Sequence, residues 1–488
     1  MANPRPSQPD LEQLKKQAKD LLKAHKSADL DAARRIKSLL LSKYSARSEQ
    51  EILDVSFSLR EAQQIIAREH GFSSWQKLKA SVDAVAEGKL VYKLTTPEEL
   101  TAVLGPPDDR TESQDGGMSL LTLKYGGTTA KFGKMREYEC PFTLLQLEGY
   151  DIGQNKPVIL RGQSDLDKFD SFWGFAGLSM VNVDLSDHQG MIDEMPYDTR
   201  TEWPPPDRLP EGFDPQERLD RGKTPGLGIR ELNAQGKSGQ GIGIAIIDQP
   251  LLRDHVEYVD RIVHYESIEI PAWIEPQMHG PPVASIAVGK TCGVAPQASL
   301  YYYAVPAWKW KACAPYAKAL ENIIDASKSM TTNPIKVVSI SLGMFSHWDD
   351  FELWQAAVQE AERHGILVVT CDKTFLNYGT STRIPGKKQD DPNSYLRGRH
   401  SSNSDVLRIP TGHRTTVSHQ GKDVYTYYTN GGMSWAAPYL AGLAALAFQV
   451  DPNLEPGRIV PLWLETATST SAGHVVNPKG FIDLIQNK

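Results

Sequence analysis

Three short segments in the second half of the chain carry side chains suited to nucleophilic chemistry. Asp248 ends the apolar run Ala-Ile-Ile-Asp, His279 precedes a glycine and a stretch of small residues, and Ser434 opens a long apolar segment. Each also has a purely structural interpretation: a carboxylate that caps a turn, a histidine that is hydrogen-bonded in the core, and a serine that caps a helix. Singly, none of the three predicts catalysis.

The three residue types together predict nucleophilic acyl transfer. A serine hydroxyl needs a base to accept its proton, and the imidazole that serves as base needs a buried carboxylate to fix its tautomer and stabilise its cation. The chain order Asp248, His279, Ser434 is that of subtilisin, and it differs from the orders in chymotrypsin-like enzymes and α/β-hydrolases. The order therefore argues against the chymotrypsin-like and the α/β-hydrolase classes.

At these residues the segment from about 225 to 450 resembles the subtilisin-like serine peptidases. The resemblance has departures: Pro281 stands where the family carries threonine, and Met433 and Trp435 replace residues usual in the serine motif. The motifs that carry it, in the order of the family, lie at residues 238–248, 279–284, 293–300, 339–343 and 432–438.

The resemblance implies a serine endopeptidase that works through an acyl-enzyme intermediate on a protein or peptide substrate. Ser434 would attack the scissile carbonyl, His279 would act as general base and then acid, and Asp248 would orient His279. The backbone of Ser341, Leu342 and Gly343 would pair with the bound peptide in the manner of a strand.

One part of the family pattern is missing. Relatives usually carry an asparagine that donates a hydrogen bond to the oxyanion, and here Lys373 and Thr374 stand at the expected Gly-Asn position. Thr374 and Asn377 are the candidate substitutes. Loss of such a donor typically slows turnover by about 100- to 1,000-fold. Two hypotheses follow: an active enzyme with a substitute donor, or a catalytically weak or inactive pseudoprotease that binds peptides or partner proteins through the same groove.

The elements around these motifs alternate between strand and helix, which predicts an α/β fold. In such a sheet the site lies beyond the carboxyl ends of the strands. With the resemblance, this predicts a subtilisin-like parallel sheet covered by helices on both faces. The predicted strands are 242–247, 299–305, 335–342 and 366–371, and the predicted helices between them are 314–330 and 352–364.

The chain ahead of this region predicts two further parts. Residues 1–85 have helical periodicity, with predicted helices near 11–25, 30–41 and 59–70 and a short one that Ser73 caps. Residues 92–195 predict a small α+β domain of unknown role, with strand-like runs at 120–125, 157–161 and 180–185. A Pro-rich linker is predicted over 196–222 and the peptidase domain over 223–488.

The N-terminal helices resemble a helical leader found ahead of ankyrin repeats in some bacterial proteins. No ankyrin repeat motif follows, so the resemblance implies only a protein-interaction module. Residues 1–80 carry 15 Lys and Arg against 10 Asp and Glu. Such charges most often form a solvated helix face, with nucleic-acid or membrane-surface contact as the alternatives.

The composition excludes several classes of protein. Hydrophobic residues make up 40% and charged residues 23%, which is typical of globular domains and not of disordered chains. The net charge of −7 argues against nucleic acid as the main partner. The sequence contains neither an uninterrupted apolar run of membrane-spanning length nor a secretory signal pattern, so we expect a cytoplasmic protein without a membrane partner.

No cofactor is predicted. The four cysteines are far apart and form no C-x-x-C pair, which argues against a zinc site or a disulfide framework. Structural calcium is common in the resembled family, but no run of acidic ligands at loop spacing supports it here.

Residues 376–405 are polar and are predicted to form a loop. Their arginines and a neighbouring one have two interpretations, an acidic-substrate subsite or a solvated surface. These are Arg383, Arg397, Arg399 and Arg408. Tryptophans 273, 308, 310 and 348 are candidates for the cleft wall, with ordinary packing as the alternative.

Overall fold

The computed structural model describes most of the chain between residues 11 and 487. The residues left undescribed are 1–10, 40–43, 45–46, 71, 88–89, 91–92, 116–117, 126–127, 136–141, 148–157, 170–173, 272–273, 308, 310, 399–405 and 488. The chain divides into two units, Met1–Leu185 with Glu202–Leu209, and Ser186–Thr201 with Pro210–Lys488. The domain boundaries derived from the sequence remain predictions.

The first unit begins with amphipathic helices. Leu14, Ala18, Leu21 and His25 are buried on one face of the first helix, as their spacing predicts. The helices of this unit are Leu11–Lys26, Leu30–Leu39, Glu49–Leu53, Leu59–Glu69, Trp75–Ala86 and Pro97–Leu104, with a 3-10 helix at Gln163–Lys168 and another at Pro206–Arg208.

Polar side chains cap the N-termini of four of these helices, Glu49–Leu53, Leu59–Glu69, Trp75–Ala86 and Pro97–Leu104. The side chain of Ser58 accepts a hydrogen bond from the backbone of Glu61 and completes a capping box at the helix Leu59–Glu69. The predicted cap at Ser73 is wrong by one residue, because the side chain of Ser74 accepts from the backbone of Lys77. The predicted stop at Gly71 lies outside the described residues.

The strands of the first unit form an antiparallel meander and a separate short parallel pair. The four meander strands, which pair in chain order, are Asp109–Asp115, Met118–Tyr125, Thr128–Met135 and Thr143–Leu147. The parallel pair is Val158–Ile159 with Leu178–Ser179. The predicted strand at 180–185 is wrong: the Val183 amide turns back to the Met180 carbonyl, so its buried apolar residues lie on irregular backbone.

The second unit is built on a five-stranded sheet in which all neighbouring strands are parallel. From one edge to the other its strands are Leu367–Val369, Ile335–Ile340, Gly243–Asp248, Ser299–Ala304 and Ile262–Ser267. The last strand was missed in the sequence, because most of its side chains are exposed or half-buried at the sheet edge and lack an apolar run.

Alternate residues of the central strand face two different cores. Ile244 and Ile246 pack in the core that contains the helices Gly280–Val288 and Met433–Val450. Ala245 and Ile247 pack on the opposite side, in the core that contains the helices Ala314–Ser327 and Phe351–Arg363. Because successive side chains of a strand point to opposite faces, the sheet is covered by helices on both faces. The predicted α/β class is confirmed.

Further strands complete the second unit. One mixed sheet has the order Tyr395–Arg397, Tyr378–Arg383, Leu407–Gly412, Gly473–Val475 and Thr468–Thr470. An antiparallel sheet joins Arg414–Val417, Tyr425–Tyr428 and Tyr197–Asp198. The other helices are Gln189–Glu194, Pro215–Lys223, Ile229–Ala234, Pro456–Thr466 and Pro478–Gln486, with 3-10 helices at Val259–Arg261 and Pro392–Ser394.

Two stretches differ from the sequence expectation. The predicted loop 376–405 contains the strand Tyr378–Arg383. Its side chains are mostly polar, which suggested a solvent-facing loop, but most of them are buried in the structure. The stretch 196–222, predicted as an extended linker, contains most of the helix Pro215–Lys223, whose N-terminus Asp214 caps.

One helix, Met433–Val450, is long and apolar enough to cross a membrane by length and composition. Most of it is buried inside the second unit, and a core helix passes the same test.

Candidate active site

Asp248 lies at the carboxyl end of the central strand. The six residues Gly243–Asp248 are all buried, because the strand lies between two neighbours and under helices on both faces. The carboxylate oxygen Oδ1 accepts a hydrogen bond from the backbone amide of Gln249 at 2.7 Å. This places a buried negative charge at the edge of the sheet where ligands of parallel α/β folds bind.

His279 immediately precedes the helix Gly280–Val288 and faces Asp248. Its Nδ1 lies 2.7 Å from Asp248 Oδ1, and its backbone amide donates to Oε1 of Gln249 at 3.3 Å. Gly280 permits this approach, since a β-carbon there would overlap the Gln249 carbonyl oxygen and the Tyr302 hydroxyl. A carboxylate only accepts hydrogen bonds, so Nδ1 carries the proton and Nε2 is left as an acceptor.

The electrostatic surroundings of His279 favour its protonated form. Burial lowers the pKa of the imidazole, but the charge of Asp248 and its hydrogen bond outweigh burial, so the pKa of His279 is raised above 6.5. The ring of Trp435 lies 5.6 Å from the imidazole, centroid to centroid, at a tilted angle. These surroundings stabilise the imidazolium cation that forms when His279 accepts a proton.

Ser434 lies in the first turn of the helix Met433–Val450, which is buried from Trp435 to Phe448. Its hydroxyl donates to the carbonyl of Ser341 at 3.3 Å, and the Ser341 hydroxyl donates to the carbonyl of Ser434 at 2.8 Å. Within the described part of the chain, no hydrogen bond joins Ser434 to His279. The reciprocal pair anchors the start of the helix to the segment that follows the strand Ile335–Ile340.

A cavity of about 250 Å³ brings the three residues together. Its lining also includes residues that the sequence did not single out, of which Gln249 carries the clearest signal because it directly follows Asp248. The lining residues are Ile247, Asp248, Gln249, His279, Ala307, Lys309, Lys311, Ala312, Tyr316, Ser341, Leu342, Trp348 and Ser434. We call this cavity the cleft. Trp348 is the one predicted wall tryptophan within the described residues.

The predicted peptide-binding residues lie in and beside the cleft. Ser341 and Leu342 line it. Gly343 lies against Asp372, with 3.3 Å between an ideal β-carbon at Gly343 and the β-carbon of Asp372. The backbone amide of Cys371 donates to the carbonyl of Leu342 at 3.1 Å, so that acceptor is already used by the chain.

The two predicted oxyanion donors are placed differently from expectation. Thr374 donates through its hydroxyl to Asp372 Oδ1, and its backbone amide donates to the same oxygen at 2.9 Å. Asn377 is exposed just before the strand Tyr378–Arg383. Of the described residues, neither is among those that line the cleft. Asp372 thus takes up the hydroxyl that the sequence proposed as a substitute donor.

The described residues contain no group of three or more His, Cys, Asp or Glu side chains arranged to hold a metal ion.

Comparison with known proteins gives a family match over part of the chain. Residues 239–372 match the model of the Subtilase family. The matched segment contains Asp248, His279 and the residues 341–343, and it ends before Ser434.

A curated relative and two solved structures are also similar to this chain. Subtilisin-like protease 2 of Arthroderma otae is 24% identical over 246 residues, which cover 46% of this chain and 53% of that protein. The chain therefore spans about half the length of that relative. The A-subunit of the AB5 toxin from E. coli matches at 15% identity and a TM-score of 0.44, covering 54% of this chain and 98% of that one.

Fervidolysin from Fervidobacterium pennivorans, described as a keratinolytic enzyme related to subtilisin, matches at 19% identity and a TM-score of 0.41. The match covers 53% of this chain and 44% of that one. The α/β fold of the second unit is seen directly in the strands and helices of this chain. At the level of the family, the match of residues 239–372 relates the second unit to the subtilase serine peptidases.

Proposed function

We propose that the second unit is a serine endopeptidase that hydrolyses peptide bonds through an acyl-enzyme intermediate. The observation that carries this proposal is the 2.7 Å contact between His279 Nδ1 and Asp248 Oδ1, in a cleft that Ser434 also lines. A buried carboxylate that holds an imidazole in one tautomer beside a serine hydroxyl is the arrangement that acyl transfer requires.

The reaction begins with rotation of the Ser434 side chain. Its present hydrogen bond to the Ser341 carbonyl, at 3.3 Å, is longer than the 2.7–2.8 Å typical of hydroxyl donors. Exchanging it for a bond to His279 Nε2 therefore costs little, and catalytic hydrogen bonds are often loose without substrate. As Oγ bonds to the scissile carbonyl carbon, its proton moves to Nε2.

The imidazolium then completes the first half of the reaction. It gives its proton to the leaving amine as the C–N bond breaks, which leaves the acyl group on Ser434 Oγ. Water attacks that ester with His279 again accepting a proton, and Ser434 is released with its hydroxyl restored. Asp248 stays ionised throughout and stabilises each imidazolium.

Two backbone features support binding of an extended peptide. Residues 341–343 follow the strand Ile335–Ile340, which is second from the edge of the sheet, and main-chain groups beside the cleft could pair there with a peptide in strand fashion. The helix Met433–Val450 begins at the nucleophile, and the first N–H groups of a helix have no intrahelical acceptor. Those amides favour the negative charge of the tetrahedral intermediate.

An activity-based fluorophosphonate probe tests the proposal, together with hydrolysis of an unstructured protein such as casein. We expect the wild-type protein to be labelled at Ser434 and Ser434→Ala to lose both labelling and hydrolysis. The chain offers a matched control: Ser469 Oγ lies 3.2 Å from His474 Nδ1 on the surface, so Ser469→Ala removes another serine beside a histidine.

Equal labelling of wild type and Ser434→Ala would contradict the assignment of the nucleophile. No labelling and no hydrolysis by the wild-type protein, with casein-derived peptides still bound, would replace the enzyme by the peptide-binding pseudoprotease.

A further inference from the structure

The second unit contains another cavity, of about 210 Å³, that shares no lining residue with the cleft. Its walls come from the helix Pro215–Lys223, from the end of the strand Tyr378–Arg383 with the residues after it, and from His413 and Tyr427. We call it the arginine cavity. All of its lining belongs to the second unit.

Positive side chains dominate one part of the lining: Arg218, Arg221, Arg383 and Lys387. The acidic groups in the lining are engaged elsewhere or lie in the solvent. Asp214 caps the helix Pro215–Lys223 by accepting from two of its backbone amides at 2.9 Å. Glu217 is exposed on the same helix, 3.6 Å from Arg221, and Glu211 is exposed.

Arg383 is the central observation. Its side chain is 4% exposed, and its Nη2 donates to the Thr224 carbonyl. Its Nε and Nη1 have no hydrogen-bond partner in the described part of the chain. Leaving buried guanidinium donors unpaired costs more free energy than leaving neutral groups unpaired, and Nε and Nη1 are the two donors of Arg383 that lack an acceptor among the described residues.

A second buried guanidinium strengthens the positive potential. Arg414 is fully buried, donates to the Cys292 carbonyl at 2.8 Å, and likewise keeps Nε and Nη1 without a partner among the described residues. Burial, and after it the charge of Arg383, lower the pKa of Arg414 to about 9. These two arginines therefore repel each other in the absence of an anion.

His413, which also lines the arginine cavity, is affected by the same positive charges. Burial first, then the charge of Arg218, lower the pKa of His413 to about 4, with Arg383 adding to the effect. The imidazole is therefore neutral at pH 7, and its Nδ1 lies 2.8 Å from the Tyr427 hydroxyl. This pair can direct one further polar hydrogen or lone pair into the cavity.

We propose that the arginine cavity binds a phosphate group, either as inorganic phosphate or as a small phosphate monoester, with Arg383 as its central donor. A guanidinium presents two parallel N–H groups that match two oxygens of a phosphate. A dianion with three free oxygens can pair with Arg383 and with an arginine of the helix Pro215–Lys223 at once. Arg218 is held at the wall by the ring of Phe213, 4.6 Å from its guanidinium carbon, and its Nη2 forms an ion pair with Asp193 at 2.8 Å.

Isothermal titration of the full chain with inorganic phosphate tests this, against sodium chloride of equal ionic strength. We expect saturable binding with a dissociation constant of about 1 mM or tighter. Arg383→Met should weaken it at least about tenfold, as expected for loss of a charge-assisted bidentate contact. Phenyl phosphate in the same titration distinguishes the sources: tighter binding than inorganic phosphate favours a monoester.

Two further variants keep the test decisive if Arg383→Met does not fold. Arg221→Gln alters an exposed lining residue and should also weaken binding. Arg363→Gln is the matched control, because Arg363 is an exposed arginine paired with Glu360 on another helix, and it should bind as the wild type does. No saturable binding by the wild type, or equal weakening in Arg363→Gln, would overturn the proposal. The titration is independent of peptidase activity.

Discussion

The cleft and the arginine cavity lie in the same unit and treat buried charge in opposite ways. In the cleft, the carboxylate of Asp248 is matched by His279 and by a backbone amide. In the arginine cavity, the buried guanidinium of Arg383 keeps two donor atoms without a partner among the described residues. The two cavities have similar volumes, so the difference is one of chemistry and not of size.

The comparison separates a site that is complete by itself from one that is not. A buried charge whose partner belongs to the chain is held ready, and a substrate only has to displace a weak contact such as that of Ser434. A buried charge without a partner is a standing cost, which a ligand of opposite charge removes when it binds. We therefore expect substitutions in the cleft to change mainly the rate of peptide hydrolysis. Binding of a ligand in the arginine cavity should change mainly the free energy of unfolding.

The largest expected effect is in the cleft. Ser434→Ala removes the proposed nucleophile, so kcat for peptide hydrolysis should fall by about 10⁶-fold, the scale known for removal of the nucleophile in subtilisin. Steady-state kinetics on a fluorogenic peptide measure this, with Ser469→Ala as the control that keeps wild-type rates. A loss below about tenfold in Ser434→Ala would show that the cleft does not work through this serine.

The next effect tests the charge pair itself. Asp248→Asn leaves the shape nearly unchanged but removes the carboxylate that fixes the tautomer of His279, so kcat should fall by about 10⁴-fold. The thermal midpoint, followed by circular dichroism, checks that the variant is folded. Activity close to that of the wild type would contradict the role of the pair.

The same variant has a pH signature. The proposed mechanism needs neutral His279, whose pKa is raised above 6.5, so the wild-type rate should fall as the pH drops through that raised pKa. In Asp248→Asn burial alone acts on the imidazole, so the acid limb should move to lower pH. The raised pKa also contributes stability that is fully present below about pH 6.5 and is lost as the pH rises through the folded-state pKa. An acid limb that does not move would contradict this coupling.

The residues of the cleft could be predicted from the sequence far better than those of the arginine cavity. The apolar run before Asp248 and the small residues after His279 are local patterns, so strand, helix and their order could be predicted. The hydrogen bond between Ser434 and Ser341 could not be predicted, because it joins residues 93 positions apart and neither residue carries a local sign of it. The capture of Thr374 by Asp372 depends on a loop conformation that has no sequence signature.

The arginines illustrate the same limit. In the sequence, Arg383 lies in the polar stretch 376–405 and Arg408 just after it, with a solvated surface as one interpretation of both, yet both are buried on neighbouring strands. Arg397 is exposed, and Arg399 lies outside the described residues. Polar residues on a strand between other strands look like a loop when only composition is considered, because burial is decided by tertiary pairing.

A moderate effect on stability should follow from phosphate binding in the arginine cavity. At a phosphate concentration ten times the dissociation constant, binding to the folded state alone raises the free energy of unfolding by about 1.4 kcal/mol. Urea unfolding with and without phosphate measures the gain. It should shrink in Arg383→Met and remain whole in Ser434→Ala, because the two cavities share no residue. A gain that persists in Arg383→Met would place the anion elsewhere.

The smallest expected effect is at Thr374. Because its hydroxyl is bound to Asp372 and does not line the cleft, Thr374→Val should lower kcat by less than about tenfold while the loss of that hydrogen bond costs about 1 kcal/mol of stability. Asn377→Ala, at the other predicted donor, should change kcat as little and serves as the paired variant. A fall of 100- to 1,000-fold in either would identify an oxyanion donor that reaches the cleft only with substrate bound. Near-wild-type rates in both would leave the amides at the start of the helix Met433–Val450 as the principal source of oxyanion stabilisation, supplied by backbone and not by a side chain.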